Sequence, residues 1–185
     1  MGAYAAPMPQ LVTPAPALHG SFLEALVEYH REGRHLDLTI DALREPAAFA
    51  RYLAALLADA RTETQRTPTR VPQTNLWWAD GDQYLGRISI RHELNAGLRR
   101  IGGHIGYEIR PSARLRGNGK AMLAAALPVA AGLGIDPALI TCDAANAASR
   151  RVIEANDGRY AGRDGAELHF WVPTSRDGRP SRTTG

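Results

Sequence analysis

The sequence predicts an α/β domain of the α+β type, a central β-sheet with helices on both faces. Three observations carry this. The first third holds two stretches of helical apolar spacing; the middle changes to strands around an Asp-Gly-Asp turn; the last half alternates helix with strand and closes on a hairpin. A chain of 185 residues fits one such domain with a real core. The domain is expected over 10–173, with 1–9 and 174–185 as flexible ends.

The elements follow in order. Gln10 to Thr13 reads as a short first strand, closed by Pro14 and Pro16. Leu18, Phe22, Leu23, Leu26, Val27 and Tyr29 approximate helical spacing up to Arg31, and Gly33 is a stop signal. Pro46 to Ala60 reads as a second helix, with proline in its first turn. Arg61 to Gln73, rich in Thr, Arg and Pro, has no period and is expected as a surface loop. Asn75 to Ala79 and Gln83 to Arg91 flank Asp80-Gly81-Asp82 as a hairpin. A glycine-rich strand, Gly103 to Ile109, precedes an Ala/Leu helix, Gly117 to Ala131; Pro128 is expected at a bend rather than inside that helix. Ala138 to Cys142 is a buried strand and Asn146 to Ala155 a helix. Tyr160 to Gly162 and Glu167 to Val172 form the last hairpin.

Composition narrows the function. Hydrophobic residues make up 44% and charged residues 22% of the chain, as in ordinary globular proteins. Net charge is +3, but the basic residues are scattered, without an aromatic-interleaved patch, an RNP-like strand or zinc-finger spacing. No nucleic-acid partner is expected. A small polyanionic ligand suits the modest excess better. No apolar run approaches the roughly 18 residues that span a bilayer, so no membrane partner is expected. Cys142, the one cysteine, has no internal partner for a disulfide. The first ten residues lack the basic and apolar regions of a signal peptide, and cytoplasm is the expected location. No metal is expected.

The informative stretch runs Ile109-Arg110-Pro111-Ser112-Ala113-Arg114-Leu115-Arg116-Gly117-Asn118-Gly119-Lys120. A strand ends at Ile109, and a turn carries Arg114-x-x-Gly117-x-Gly119 into a helix. Free N–H groups and the dipole at a helix start favour an anion. Glycines admit phosphate oxygens close to the main chain, and Arg114, Arg116 and Lys120 add positive charge. A diphosphate fits. A Walker A loop does not: Arg114 stands where its first glycine belongs, and Ala121 replaces its Ser/Thr. A dinucleotide fingerprint fails at Met122.

Arg-x-x-Gly-x-Gly after Ile109-x-Pro111 resembles the acetyl-CoA motif of the GNAT superfamily of N-acetyltransferases. Asn146-Ala-Ala-Ser149 with Val152-Ile153-Glu154 is similar to its second signature, and Gly103-His104-Ile105-Gly106-Tyr107 to one bacterial branch. The resemblance covers roughly Leu11 to Pro173. It implies a mostly antiparallel sheet whose fourth and fifth strands splay apart to admit the pantetheine of acetyl-CoA. Ile109, Pro111, Arg114, Leu115, Arg116, Gly117, Asn118, Gly119 and Lys120 would then hold the cofactor, with Asn146 and Ser149 on its side of the following helix. A helix N-cap is the alternative role for Asn146. Departures are equally informative. Ile153 stands where many members carry a tyrosine acid, and Asn118 where a bulkier residue is common. Asp157 replaces a glycine in a turn that prefers φ > 0.

An alkyl ammonium loses its proton at a cost of about 4 to 5 kcal/mol at pH 7, so the site needs a base or a water path, a polariser for the carbonyl and a route for reprotonating the thiolate. Glu108 is the first candidate, with His104 and Tyr107 (through water) as rivals; strand alternation suggests a relay from His104 to Glu108. Salt-bridge and core roles are the ordinary alternatives for Glu108 and His104. Cys142 reads as buried rather than nucleophilic. In the family the first helices line the acceptor cleft. Glu24, Glu28, Glu32 and Asp37, near Tyr29 and His30, would attract a polycationic amine, although spacing by four also describes an exposed helix face. Trp77 and Trp78 face opposite sides, and Trp78 is a candidate substrate wall. The implied reaction is N-acetylation of a small-molecule amine, an aminoglycoside-type antibiotic being the concrete version. A protein or peptide amine and a non-catalytic acyl-CoA-binding module are the other readings. Strand exchange or edge pairing would be the route to a homodimer.

Overall fold

A computed structural model of the protein describes residues 8–61 and 70–175. Its elements are β1 (Gln10–Val12), α1 (His19–Arg31), α2 (Ile40–Arg44), α3 (Pro46–Ala58), β2 (Gln73–Asp80), β3 (Gln83–Arg91), α4 (Ala96–Arg100), β4 (Ile105–Ile109), α5 (Asn118–Gly132), β5 (Ala138–Asp143), α6 (Ala147–Glu154), β6 (Arg159–Asp164) and β7 (Glu167–Val172). Short 3₁₀ turns at Pro16–Leu18 and Pro111–Ala113 lead into α1 and follow β4. The expected order holds, with two additions. At five residues each, α2 and α4 are too short to show a period; α4 is marked only by Asn95, whose side chain accepts the N–H of Leu98 at 2.9 Å.

The strands form two antiparallel sheets, β1-β2-β3-β4 and β5-β7-β6. Side-chain alternation sends one face to each helix layer. Trp78, Ile88, Ile90 and Ile105 pack with Met122, Leu123 and Ala126 of α5 and Ile153 of α6. Trp77 and Tyr84 pack on the other side with Phe22, Leu26 and Tyr29 of α1 and Phe49 and Leu53 of α3. Each such side chain contributes about 1.5–3 kcal/mol on burial. The adjacent tryptophans do divide between the faces. Trp78, however, is only 4% exposed and donates its indole N–H to Asn118, so it belongs to the core and not to a substrate wall.

Two further expectations change. Pro128 lies inside α5. Proline there leaves the carbonyl four residues back without its donor, but Ala124 and Pro128 are both exposed and line a cavity of about 700 Å³, so water reaches the freed carbonyl. The ordered domain also runs past 173. Buried Thr174 donates its N–H and Oγ1 to Asp136 Oδ1 and Ile135 O, and Ser175 Oγ donates to Asp136 Oδ2. Residues 1–7 and 176–185, most of the expected flexible ends, and 62–69 of the expected loop lie outside the described residues.

Candidate active site

No ladder joins β4 to β5 among the described residues. They meet at one end, where His104 N–H donates to Leu139 O at 2.7 Å and Leu139 N–H donates to His104 Nδ1 at 2.9 Å. Gly103 makes that approach possible, because a Cβ there would overlap the Leu139 carbonyl. Register on the other edge is informative. Arg91 N–H bonds His104 O, and Arg110 N–H bonds Leu85 O, so the pairs 87/108 and 89/106 between them are hydrogen-bonded as well. The main-chain groups of Ile105, Tyr107 and Ile109 therefore point away from β3, toward the gap.

The turn after β4 ends at this gap. Gly117, at φ 80°, is the N-cap of α5, and Leu115 is also left-handed at φ 60°. Ala121 N–H bonds Gly117 O at 3.0 Å, so the N–H groups of Asn118, Gly119 and Lys120 precede the helical ladder. Arg116 and Lys120 are exposed beside them. Gly119 faces Val152 and Ile109, where a Cβ would press the Val152 methyl. Main-chain donors ahead of the ladder and the flanking positive charge together favour an anion at this position. Two side chains of the motif are used within the fold instead. Asn118 donates to Ala113 O and accepts from Trp78. Arg114 holds Glu32 through two 2.8 Å bonds and donates Nε–H to Ile109 O.

The acidic face of α1 is likewise engaged. Glu28 binds Arg110 and accepts from both the N–H and the hydroxyl of Ser112. Burial works to raise its pKa, but these donors outweigh it and hold the carboxyl below its usual range. Arg114 does the same for Glu32. Glu24 stands 3.7 Å from Arg110. Of the four acids expected to attract the acceptor, Glu28 and Glu32 are held by arginines, whereas Glu24 and Asp37 remain exposed. Tyr29 is buried in the core, edge-on to His35.

Glu108 is buried and faces α1 and the loop after it. His35 Nε2 lies 2.6 Å from Oε2, Arg34 Nη2 2.8 Å from Oε1 and Arg87 Nε 3.6 Å from Oε2. The Arg34 approach is close enough for an ion pair but outside hydrogen-bond geometry. Burial would raise the Glu108 pKa; the His35 hydrogen bond and the guanidinium charges outweigh it and keep it low. A carboxylate held ionised in this way is a weak base and a good anchor. His35 has φ 54°, a left-handed conformation uncommon for a residue other than glycine, and the loop carries its ring to the carboxylate. Nothing in the local sequence marks Arg34, His35 or Arg87. Arg87 is the direct cross-strand partner of Glu108, a signal that requires the register, which the long connection through α4 leaves open.

The relay from His104 to Glu108 does not form. His104 is held at β5, where it accepts from Leu139, and burial with Arg99 and Arg91 nearby lowers its pKa to about 4. It is neutral at pH 7 and a poor base. With the folded pKa below the unfolded value of about 6.5, its contribution to stability is complete above pH 6.5 and is lost as pH falls toward 4. Thermal midpoints should decline over that window in the native protein and decline less in His104→Gln. Tyr107 donates to or accepts from Ser149 Oγ at 2.9 Å, beneath the gap, and burial pushes its pKa up to about 12. It is a protonated hydroxyl at neutral pH, not a base. Cys142 is buried and its thiol pKa raised by that burial, as expected of an inert thiol. Asn146 caps α6, accepting from Ser149 N–H, and Asp157 adopts φ 62°.

No group of three or more His, Cys, Asp or Glu side chains suited to a metal occurs among the described residues, and no helix there is long and apolar enough to cross a membrane. No curated protein matches the sequence. Solved structures share the fold. RimJ of Mycobacterium smegmatis, in complex with CoA-disulfide, superposes with a TM-score of 0.64 at 18% identity, over 91% of this chain and 83% of its own. The putative acetyltransferase yncA of Salmonella typhimurium, with acetyl-CoA, gives 0.57 at 13% identity over 94% and 98%. Campylobacter jejuni N-acetyltransferase PseH, with acetyl coenzyme A, gives 0.56 at 14% over 91% and 100%. At such identities the likeness concerns the fold. The family model for the acetyltransferase (GNAT) domain matches residues 25–159, from within α1 through the splayed strands and the anion-ready turn to the start of β6. The chain therefore belongs to the GNAT acetyltransferase family and is an acyltransferase.

Proposed function

We propose that the protein acetylates a primary amine of a small molecule, with acetyl-CoA held in the gap between β4 and β5. The observation that carries this reading is the pairing of that gap with the turn at Gly117, whose main-chain N–H groups precede the α5 ladder. The cosubstrate supplies the activated acetyl group. Its diphosphate would rest on the N–H groups of 118–120 with Arg116 and Lys120 alongside, and its amides on the main chain of Ile105, Tyr107 and Ile109. Leu115 and Pro111 shape the turn, and Ser149 and the N-cap Asn146 border the gap from α6. Arg114 and Asn118 brace the site rather than touching the ligand.

On the α1 side, Glu108 anchors the protonated acceptor or orients His35, and His35 is the better proton acceptor of the two. Burial works to raise the Glu108 pKa, but the His35 hydrogen bond and the guanidinium charges hold it low, so the carboxylate is a poor acceptor for an ammonium proton. Tyr107, with Ser149, supplies a hydroxyl donor on the opposite side of the strand, where Ile153 cannot. The aminoglycoside version is the narrower form of this reading, and it rests on Asp37, Glu24 and Glu108 now that Arg110 and Arg114 neutralise Glu28 and Glu32. A thiol-release assay with acetyl-CoA tests the proposal against aminoglycosides, simple amines and peptides. Turnover with small amines is expected. Turnover confined to peptides would transfer the assignment to protein amines, and coenzyme A binding without turnover on any of them would favour a silent binding module.

A further inference from the structure

The contacts between α1 and the phosphate turn go further than neutralising charge. Glu28 in α1 and Glu32, the C-cap of that helix, lie four residues apart, and Arg110 and Arg114 lie four apart across the turn. The two pairs meet in register. Arg110 is only 8% exposed. It gives Nε–H and Nη2–H to Glu28 Oε1, and Nη1–H to Ser21 Oγ and Tyr84 O. The second oxygen of Glu28 accepts Ser112 N–H at 2.8 Å, and Ser112 Oγ donates to Oε1 at 2.9 Å. One carboxylate thus fixes a side chain, a hydroxyl and a main-chain amide on the short 3₁₀ turn Pro111–Ala113. Glu32 fixes Arg114, whose Nε–H returns to Ile109 O and closes the loop on the end of β4.

This bracing has a consequence for Leu115 to Gly119. Between Arg114 and α5 the turn touches little: Leu115 is fully exposed, and a Cβ at Gly117 would meet nothing within 4 Å. Core packing and the Asn118 hydrogen bonds hold the α5 side of this segment, and the contacts at 110–114 hold its other end. We infer that Glu28 and Glu32 are positioning residues for the cosubstrate: from α1 they lock the turn so that the α5 N–H groups are aimed at the diphosphate before it arrives. Such pre-organisation raises affinity by removing the ordering cost at binding. The inference rests on the placement of acetyl-CoA proposed above. It also reverses the sign that sequence alone suggests, because removing these acids weakens the hold on an anion even though the site becomes more positive.

Titration calorimetry with coenzyme A at a temperature where every variant is folded tests it. Glu28→Gln should raise Kd about tenfold or more, and Glu32→Gln should raise it by a smaller factor. Leu53→Ala, in the α3 core away from the turn, controls for general destabilisation: it should lower the thermal midpoint and leave Kd unchanged. In acetyl transfer, the loss should fall on the KM for acetyl-CoA while kcat stays near the native value. Native affinity in both glutamate variants, or tighter binding from the lost negative charge, would overturn the inference while leaving the proposed function intact. Should Glu28→Gln not fold, Glu32→Gln decides, since that pair is exposed and its loss is tolerable. No binding by the native protein would remove the functional reading and this inference together.

Discussion

Gly117→Glu should abolish measurable coenzyme A binding in a domain that still folds. The N-cap at φ 80° is costly for any residue with a Cβ, by about 1–2 kcal/mol, but the space around it is open. For a domain of this size such a loss lowers the thermal midpoint by only a few degrees. The effect on binding is larger. A carboxylate placed about 4 Å from a phosphate charge opposes it by about 4 kcal/mol at an effective dielectric near 20, roughly a thousandfold in Kd. Gly117→Ala separates the two causes: it carries the backbone strain without the charge and should weaken binding far less. Equal affinity in Gly117→Glu and native protein would mean that the diphosphate does not lie here.

Glu108→Gln is expected to leave coenzyme A affinity within about twofold of native and to lower acetyl transfer by about 100-fold or more, the scale on which positioned acid–base groups act. Glu108 is the one carboxylate on which Arg34, His35 and Arg87 converge. Neutralising it frees His35 from its 2.6 Å contact and leaves two arginines without their counter-ion, which repels an ammonium acceptor. Arg34 and Arg87 side chains are 53% and 37% exposed, so water relieves part of that imbalance and the fold survives. His35→Ala tests the proton-acceptor role separately: it should lower acetyl transfer at least as far as Glu108→Gln and leave coenzyme A affinity near native. Native rates in Glu108→Gln would dismiss Glu108 from the reaction, and native rates in His35→Ala would dismiss His35.

The two halves of the site differ in how far the sequence discloses them. The cosubstrate half is local: Ile109 to Lys120 is one contiguous run, and a left-handed glycine at a helix entrance announces itself by residue type. Asp157 is legible for the same reason, since a turn that wants φ > 0 has few tolerable occupants. The acceptor half is assembled from distant segments. His35 and Glu108 are 73 positions apart, and only the fold brings the loop after α1 over β4. Glu28 and Glu32 show the limit most clearly. Spacing by four places them on one helix face, but it cannot tell an acceptor-facing acid from a brace, because the arginines that claim them lie across the sheet end. His104 and Trp78 depart from the sequence expectation for another reason. Alternation puts a side chain on a face, and it does not reveal that Gly103 turns His104 toward β5 or that Asn118 caps the Trp78 indole.

Amide chemical-shift mapping of the native protein on addition of coenzyme A tests the placement most directly. The N–H signals of Leu115 to Lys120, and of Ile105, Tyr107 and Ile109 along the open edge of β4, should move together and saturate at one equivalent, while those of β6 stay in place. A titration that leaves 115–120 unmoved, or moves only signals around the cavity behind α5, would contradict the account.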